Sequence, residues 1–438
     1  MSLSADKSAA MLQLASRGKV DNYLSVNPEI SFFKTKYIKH SYFAMESISQ
    51  TFDGLLGPNS NIELTIDRKG DLIHKTWLEL DNVVELTTGQ VNIDSWASNT
   101  SYILDDVVRG RGQAGIIIYC YKCIQAGTSG SVEPTWAGNI LGTLVIEGNI
   151  IWEQIGFADD VKFYPSLAVD IYDMIDNISI SVGGQIIDTH KSSWLKIVKN
   201  LKMDNEKRKI LDYVSTYPKS SLRNPKLRVP LHFWFCTHPG NALPLASISN
   251  YSIKVHIKFN NTLPTNVTAR LWMDYIFVNK PERLQLLTKP RIYIIEQVQS
   301  VTESNRNSSE RKITTYFNHP IKELIWQFND NTVINQAVIR INKKDIFKPR
   351  NGSYFSTVQR YQYYSSSKQT NDKDIYCYSF GLNPQSVYSS GYFYSSGNSV
   401  KILSTQTGTS DDTELTVYGT NYNILSIHNG FAELLYIK

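Results

Sequence analysis

The sequence predicts an all-β protein: two β-sandwich domains in tandem, with a small β domain inserted into the first. Three observations lead there. Apolar and polar residues alternate with a period of two along most of the chain, the pattern of half-buried strands. The 26 tyrosines, with many Val, Ile, Thr and Ser, form a composition of strands and wet interfaces rather than of helices. The length of 438 residues exceeds one ordinary domain of roughly 100–200 residues. Apolar residues at 42% against charged residues at 19% can fill substantial cores and exclude a disordered chain.

Taken in order, the chain opens with an arm over residues 1–26, where Met11, Leu12, Leu14 and Val20 are broken up by Arg17 and Lys19 and form no signal-peptide core. The Arg68–Asp71 turn separates Ile62–Ile66 from Leu72–Leu78, read as adjacent strands. Ile178, Ile180 and Val182 alternate with serine before Gly183-Gly184, which supplies a tight turn into Gln185–Asp188: a hairpin. Trp194, Leu195, Ile197, Val198 and Leu201 make the one helical pattern, with Ser192 or Ser193 as its cap and Lys196, Lys199 and Lys202 on the other side. Residues 213–230, with Pro218, Pro225 and Pro230, look like a connection, so the expected boundary lies near 220. The expected domains are therefore 27–215, interrupted by the insertion at 89–160, then a linker at 216–229 and a second domain at 230–438. Ile253, Val255, Ile257 and Phe259, interleaved with Lys254, His256 and Lys258, form a clear half-buried strand.

Chemical signals are weak. Cys120, Cys123, Cys236 and Cys377 are irregularly spaced and point to a reducing compartment rather than a disulfide framework. Cys120 and Cys123 have zinc-like spacing, but no second pair completes a site. Gly110–Gly115 spells a dinucleotide fingerprint, yet a strand pattern follows where a helix N-terminus is required, so a hairpin turn is expected. Histidines such as His232 and His319 are scattered, no nucleophile elbow is recognisable, and Asn-x-Ser/Thr sequons such as those at Asn99 and Asn351 have no secretory context. No segment approaches the ~18 apolar residues of a membrane span. The expectation is no catalytic site, no metal and no cofactor.

Several ordered blocks resemble the major capsid proteins of nucleocytoplasmic large DNA viruses. They are Asn27–Lys34 running on to Phe52, Gly183–Asp188 with Trp194-Leu195, Pro230–Phe235 with Ala242–Leu245, Met273–Ile276, Ile295–Val298, and Phe317–Pro320 with Lys322–Trp326. Tyr378–Phe380 and Tyr418–Asn423 extend the likeness to the carboxyl end, while Ser389–Gly397 departs from the family's pattern. The resemblance implies a double jelly roll, each half a sandwich of about eight strands. It also implies a homotrimer of pseudo-hexagonal outline that tiles an icosahedral shell around an inner membrane. Neighbouring capsomers, minor capsid proteins and the membrane side become the implied partners, the virion the implied location, and the host cytoplasm the place of assembly. No specific nucleic acid is expected.

Residues 89–160 interrupt the family pattern. They hold three basic against eight acidic side chains, which leaves the rest of the chain at +10 within a total of +5. Trp96, Tyr102, Asp105–Val108, Tyr121–Cys123, Ala126–Gly130, Glu133–Trp136 and Trp152-Glu153 resemble a small β module of phage tail proteins related to carbohydrate-binding modules. That resemblance, together with the family's outward-rising loops, implies a surface module that binds host glycans. Trp96, Tyr102, Tyr121, Trp136 and Trp152 are the candidate stacking rings, because aromatic faces pack on the apolar faces of sugars. The same rings equally suit the core of a module of about seventy residues. Two further readings are a non-capsid attachment protein of the virion and, on Asp105, Asp106, Glu133 and Glu153 alone, a β-sandwich glycan hydrolase.

Overall fold

In this computed structural model, which describes residues 27, 29, 33, 35, 39–52, 56–83, 95–104, 106–111, 118–136, 142–157, 170–216, 226–304, 310–366, 374–394, 400–407 and 413–436, twenty-five strands account for about half of the described residues. The chain divides into two units, 1–42 and 43–438, and the arm expected at 1–26 lies outside the described residues.

In the second unit the first sandwich begins with β1 (Phe43–Thr51), β2 (Asn61–Thr65) and β3 (Leu72–Asp81). The inserted domain follows as β4 (Ser101–Tyr102), β5 (Val107–Arg111), β6 (Ile118–Gln125), β7 (Gly127–Thr128), β8 (Leu144–Glu147) and β9 (Ile150–Phe157). The sandwich resumes with β10 (Ile175–Val182), β11 (Gln185–Lys191), β12 (Leu227–Pro230), β13 (Ile253–Phe259) and β14 (Thr268–Val278). Its two antiparallel sheets run β1-β14-β3-β12 and β11-β10-β13-β2.

The second sandwich uses β15 (Arg291–Ser304), β16 (Glu310–Thr315), β17 (Pro320–Phe328), β18 (Val333–Ile341), β19 (Lys344–Asp345), β20 (Arg350–Asn351), β21 (Ile375–Ser379), β22 (Phe393–Tyr394), β23 (Val400–Thr407), β24 (Glu414–His428) and β25 (Phe431–Leu434). Its sheets run β15-β24-β17-β21 and β16-β23-β18-β19. In both sandwiches the opening strand lies beside a long late strand, β14 or β24, which in turn lies beside the third, and in the second sandwich the short β25 folds back on β24. This is the jelly-roll path, made twice.

Alternation explains the layers. On β13 the side chains of Ile253, Val255, Ile257 and Phe259 are buried, and the intervening Lys254, His256 and Lys258 are more exposed. Ala269, Leu271, Met273 and Tyr275 do the same on β14 and meet them across the first core. Ile313, Leu324, Trp326, Ile339, Phe355, Ile402 and Val417 fill the second.

Four expectations change. First, the boundary near 220 is wrong. β12, β13 and β14 pair with β3, β10, β2 and β1, so residues 227–278 complete the first sandwich. A jelly roll closes its sheets with its own last strands, so the described residues on either side of the proline-rich stretch belong to one domain. The two sandwiches are instead divided by the helix Lys280–Thr288, capped by the Asn279 side chain on the Glu282 N–H at 3.0 Å. Second, β2 and β3 belong to opposite sheets, so the Arg68–Asp71 turn crosses the sandwich edge. Third, neither Ser192 nor Ser193 caps the helix Ser192–Ile197. Ser192 donates to the Tyr172 carbonyl, and the Ser193 hydroxyl lies 2.6 Å from the Tyr418 hydroxyl. Fourth, a longer helix, Asn205–Ser215, follows, capped by Asp204 on the Lys207 N–H at 2.9 Å. Its charged surface concealed the pattern.

The Gly183-Gly184 hairpin forms as expected, both residues at positive φ (59° and 85°). A Cβ on Gly183 would lie 2.7 Å from the Tyr251 ring, whereas one on Gly184 would meet open space. Gly184→Ala is expected to cost about 1–2 kcal/mol from its left-handed backbone alone, and Gly183→Ala more. Calorimetric melting of both variants checks the order.

Candidate assembly core and inserted module

The two sandwiches are joined by a seam with an apolar and a polar half. Trp194, Ile197, Val198 and Leu201, on the helix Ser192–Ile197 and the wider π turn Val198–Lys202 that continues it, pack against Ile325, Ile375, Cys377 and Tyr418 of the second sandwich. From the other side, Ile295, Leu425, Ile427 and Leu434 join the first sandwich's own core. A continuous core, rather than a linker, connects the halves.

The polar half centres on Glu323 of β17, which is 0% exposed. Lys202 of the first sandwich forms an ion pair with it, and Tyr364 and Thr420 donate hydrogen bonds, Thr420 at 2.9 Å. Burial alone would push the Glu323 carboxyl up. The charges of Lys202 and Lys322, with hydrogen bonds from Lys202 and Tyr364, outweigh it and hold the group below its usual value. Burial, reinforced by Glu323, raises the Tyr364 phenol well above its ordinary value. Neighbouring Lys322 is itself buried and pairs with Glu296 of β15.

Backbone groups complete the seam. The Asp188 carboxylate on β11 accepts the Val298 N–H of β15 at 3.1 Å and lies 2.9 Å from the His190 ring nitrogen. The Gln297 amide donates to the Ile187 carbonyl, the Arg360 guanidinium to the Asn200 carbonyl, and the Ser366 hydroxyl to the Leu201 carbonyl at 2.7 Å. Apart from the Asp188–His190 contact within β11, each bond crosses between the sandwiches. Sequence reasoning missed this constellation, although one signal was visible: Lys322-Glu323 stands inside an otherwise apolar strand, Ile321–Trp326.

The inserted domain has its own sheet, β5-β6-β9-β8, a short β4-β7 pair and its own core. Tyr121 and Trp152 are 0% exposed and Trp136 2%. Their rings pack on one another, Tyr121 on Trp136 at 4.4 Å and Trp136 on Trp152 at 5.9 Å between centroids. This corrects the expectation for these three residues: their faces are covered, and no sugar can stack on them in this conformation. Trp96 and Tyr102 are half-buried at the rim of that core. Glu147 ties the domain together, accepting the Trp96 indole N–H at 3.1 Å, the Trp152 indole N–H at 2.9 Å and the Gly130 N–H at 2.9 Å.

The apparent chemical motifs resolve here too. Gly110 lies in β5 against Trp136, where a Cβ would sit 2.3 Å from the ring. Residues 112–117 lie outside the described residues, and at Ile118 the chain continues as a strand antiparallel to β5, so the fingerprint's helix is replaced by a strand. Cys120 and Cys123 are both buried in β6, and among the described residues no three His, Cys, Asp or Glu side chains are grouped to hold a metal.

With this geometry in place, comparison with known proteins is decisive. The family described as the major capsid protein N-terminus matches residues 31–108 and 118–282, more than half of the chain. The large eukaryotic DNA virus major capsid protein family matches residues 331–433. The chain belongs to the major capsid proteins of large eukaryotic DNA viruses.

Two relatives cover almost everything. The major capsid protein of Pyramimonas orientalis virus is 27% identical over 97% of this chain and 98% of its own. That of Paramecium bursaria Chlorella virus 1 is 25% identical over the same shares. Among solved structures, a chain of the PBCV-1 virus capsid superposes with a TM-score of 0.68 at 22% identity, covering 93% of this chain and 100% of that one. The Faustovirus major capsid protein superposes at 0.60 with 10% identity, covering 96% and 97%. The fold of this capsid protein is the double jelly roll, and its family is structural, not enzymatic.

Removing one partner of a buried ion pair strands the other, so Glu323→Ala is expected to destabilise the junction by about 3–5 kcal/mol, measured by denaturant unfolding. Glu147→Ala leaves two indole N–H groups unpaired, so hydrogen exchange is expected to accelerate in residues 95–157 while the two sandwiches keep their protection.

Proposed function

We propose that this protein is the repeating tile of the virion shell, a homotrimer in which six jelly rolls from three chains form a pseudo-hexagonal capsomer. The observation that carries this reading is the double jelly roll itself: one strand order made twice and fixed side by side by a buried seam. Three such rigid pairs present six roughly equivalent lobes, and lobes of that kind close-pack in a plane without a six-fold symmetric protein. Exposed apolar side chains on the second sandwich, among them Ile292, Ile294, Tyr392, Tyr394 and Tyr436, offer surface for contacts between copies. Neighbouring capsomers, minor capsid proteins and the inner membrane side are the partners of this reading, with assembly in the host cytoplasm. A non-capsid attachment role is set aside by family membership.

A second reading concerns the inserted domain. It interrupts a single strand connection, has a separate core and keeps two half-exposed rings, Trp96 and Tyr102, at its rim. An outward-facing module of this kind suits contact with host glycans, and only the two rim rings remain as stacking candidates.

Light scattering with negative-stain imaging of the same peak tests the first reading. A mass of about three chains with a hexagonal outline supports it, and a monomer that persists with the minor capsid proteins present contradicts it. For the second, Tyr102→Ala in the assembled protein is expected to abolish retention on a glycan panel while Trp136 and Trp152 fluorescence stays that of a folded domain. Unchanged retention would remove the rim rings from the account.

A further inference from the structure

A cavity of about 290 Å³ opens on the seam, lined from both sandwiches. His232, just after β12, lines it, and its Nε2 is buried without a hydrogen-bond partner among the described residues. The groups that act on it are the ring of His190 on β11 and two cations, Lys75 on β3 and Lys202 on the π turn. The acidic groups of the cavity and its rim are already engaged. Asp188 accepts Val298 and Thr189 N–H groups beside His190. Glu296 on β15 is held by Lys322 of β17, and Glu323 by Lys202. Lys75 itself donates to the Cys236 carbonyl. Among the described residues that line the cavity, no carboxylate is left over to receive a proton-bearing His232.

We propose that His232 is the acid-sensitive element of a clasp between the two jelly rolls. As a neutral ring it lines the seam, and as a cation it stands unpaired beside Lys75, Lys202 and His190 and loosens the junction. The sign follows from burial, which with those neighbouring cations presses the ring's pKa from the ordinary 6.5 to about 3. The neutral ring's contribution is fully present above 6.5 and is lost progressively as pH falls toward 3. Across that window one proton enters on opening, so the opening constant rises up to about tenfold per pH unit. A seam whose polar half relaxes in acid while the apolar cores stay packed would let a finished shell loosen without unfolding its tiles.

The test uses Cys236, buried on the same cavity, with Cys120 and Cys123 of the inserted domain as internal references. The full-length protein is treated with a dipyridyl disulfide between pH 7 and 4.5. The thiol attacks the reagent, a protein–pyridyl disulfide forms and thiopyridone leaves. Rates are taken residue by residue from peptide masses and normalised to the denatured chain at each pH. Cys236 labelling is expected to rise as pH falls, with Cys120 and Cys123 unchanged, and His232→Gln is expected to flatten the rise at least tenfold by pH 5. His232→Phe, which restores bulk without a titrating nitrogen, is expected to do the same if Gln folds poorly. Three results would each overturn the proposal: no rise in the wild-type protein, the same rise in the folded variants, or all cysteines rising together.

Discussion

The constraint on which the rest depends is a carboxylate with no access to water. Glu323 sits on a central strand of the second sandwich, and its compensating charge, Lys202, comes from the first. An isolated buried charge costs far more than a marginally stable domain can absorb, so Glu323 stays buried only while Lys202 of the first sandwich is there to compensate it. A pair of this kind adds little to stability over an apolar replacement, and its value lies in fixing one arrangement. Apolar contact between Trp194, Leu201, Ile325 and Tyr418 would tolerate sliding, whereas the hydrogen bonds to Val298, Ile187, Asn200 and Leu201 would be lost by a shift of one residue. A tile that must meet its neighbours at fixed angles needs that definition.

The inserted domain obeys the opposite logic. It enters the connection between β3 and β10, and among the described residues its core of Tyr121, Trp136 and Trp152 draws nothing from either jelly roll. Loop-closure entropy grows slowly with length, so a self-sufficient domain can occupy such a connection with small effect on the sandwich that carries it. Its aromatic residues serve stability first. With so few residues, covering the rings and satisfying their indole N–H groups on Glu147 and Glu133 takes up the module's tryptophans. Any recognition falls to what is left at the rim.

Much of this was legible in the sequence because strands with one wet face write their period into it. β13 and the Gly183-Gly184 hairpin are visible residue by residue. The domain boundary was not, because β12, β13 and β14 return to β3, β2 and β1, strands more than a hundred residues earlier, and local composition carries no trace of a partner so distant. Asn205–Ser215 was hidden by its charge, being anchored by Asp204 and a few buried side chains such as Leu211. The seam was hidden for another reason. Asp188, Lys202 and Glu323 are individually ordinary charged residues, and only the fold that buries them together reveals their importance. The glycan-ring expectation shows the same ambiguity: an aromatic cluster in sequence does not distinguish a core from a binding face.

The central claim, that the seam locks two jelly rolls into one rigid tile, is tested most directly by a distance measurement between them. Spin labels at Thr65 on β2 and Val333 on β18, read by pulsed dipolar spectroscopy at neutral pH, should give a single narrow distribution. The same labels in a Lys202→Ala background should give a broad one. A broad or two-peaked distribution in the otherwise native protein would mean that the sandwiches move independently, and the account of the tile would be wrong.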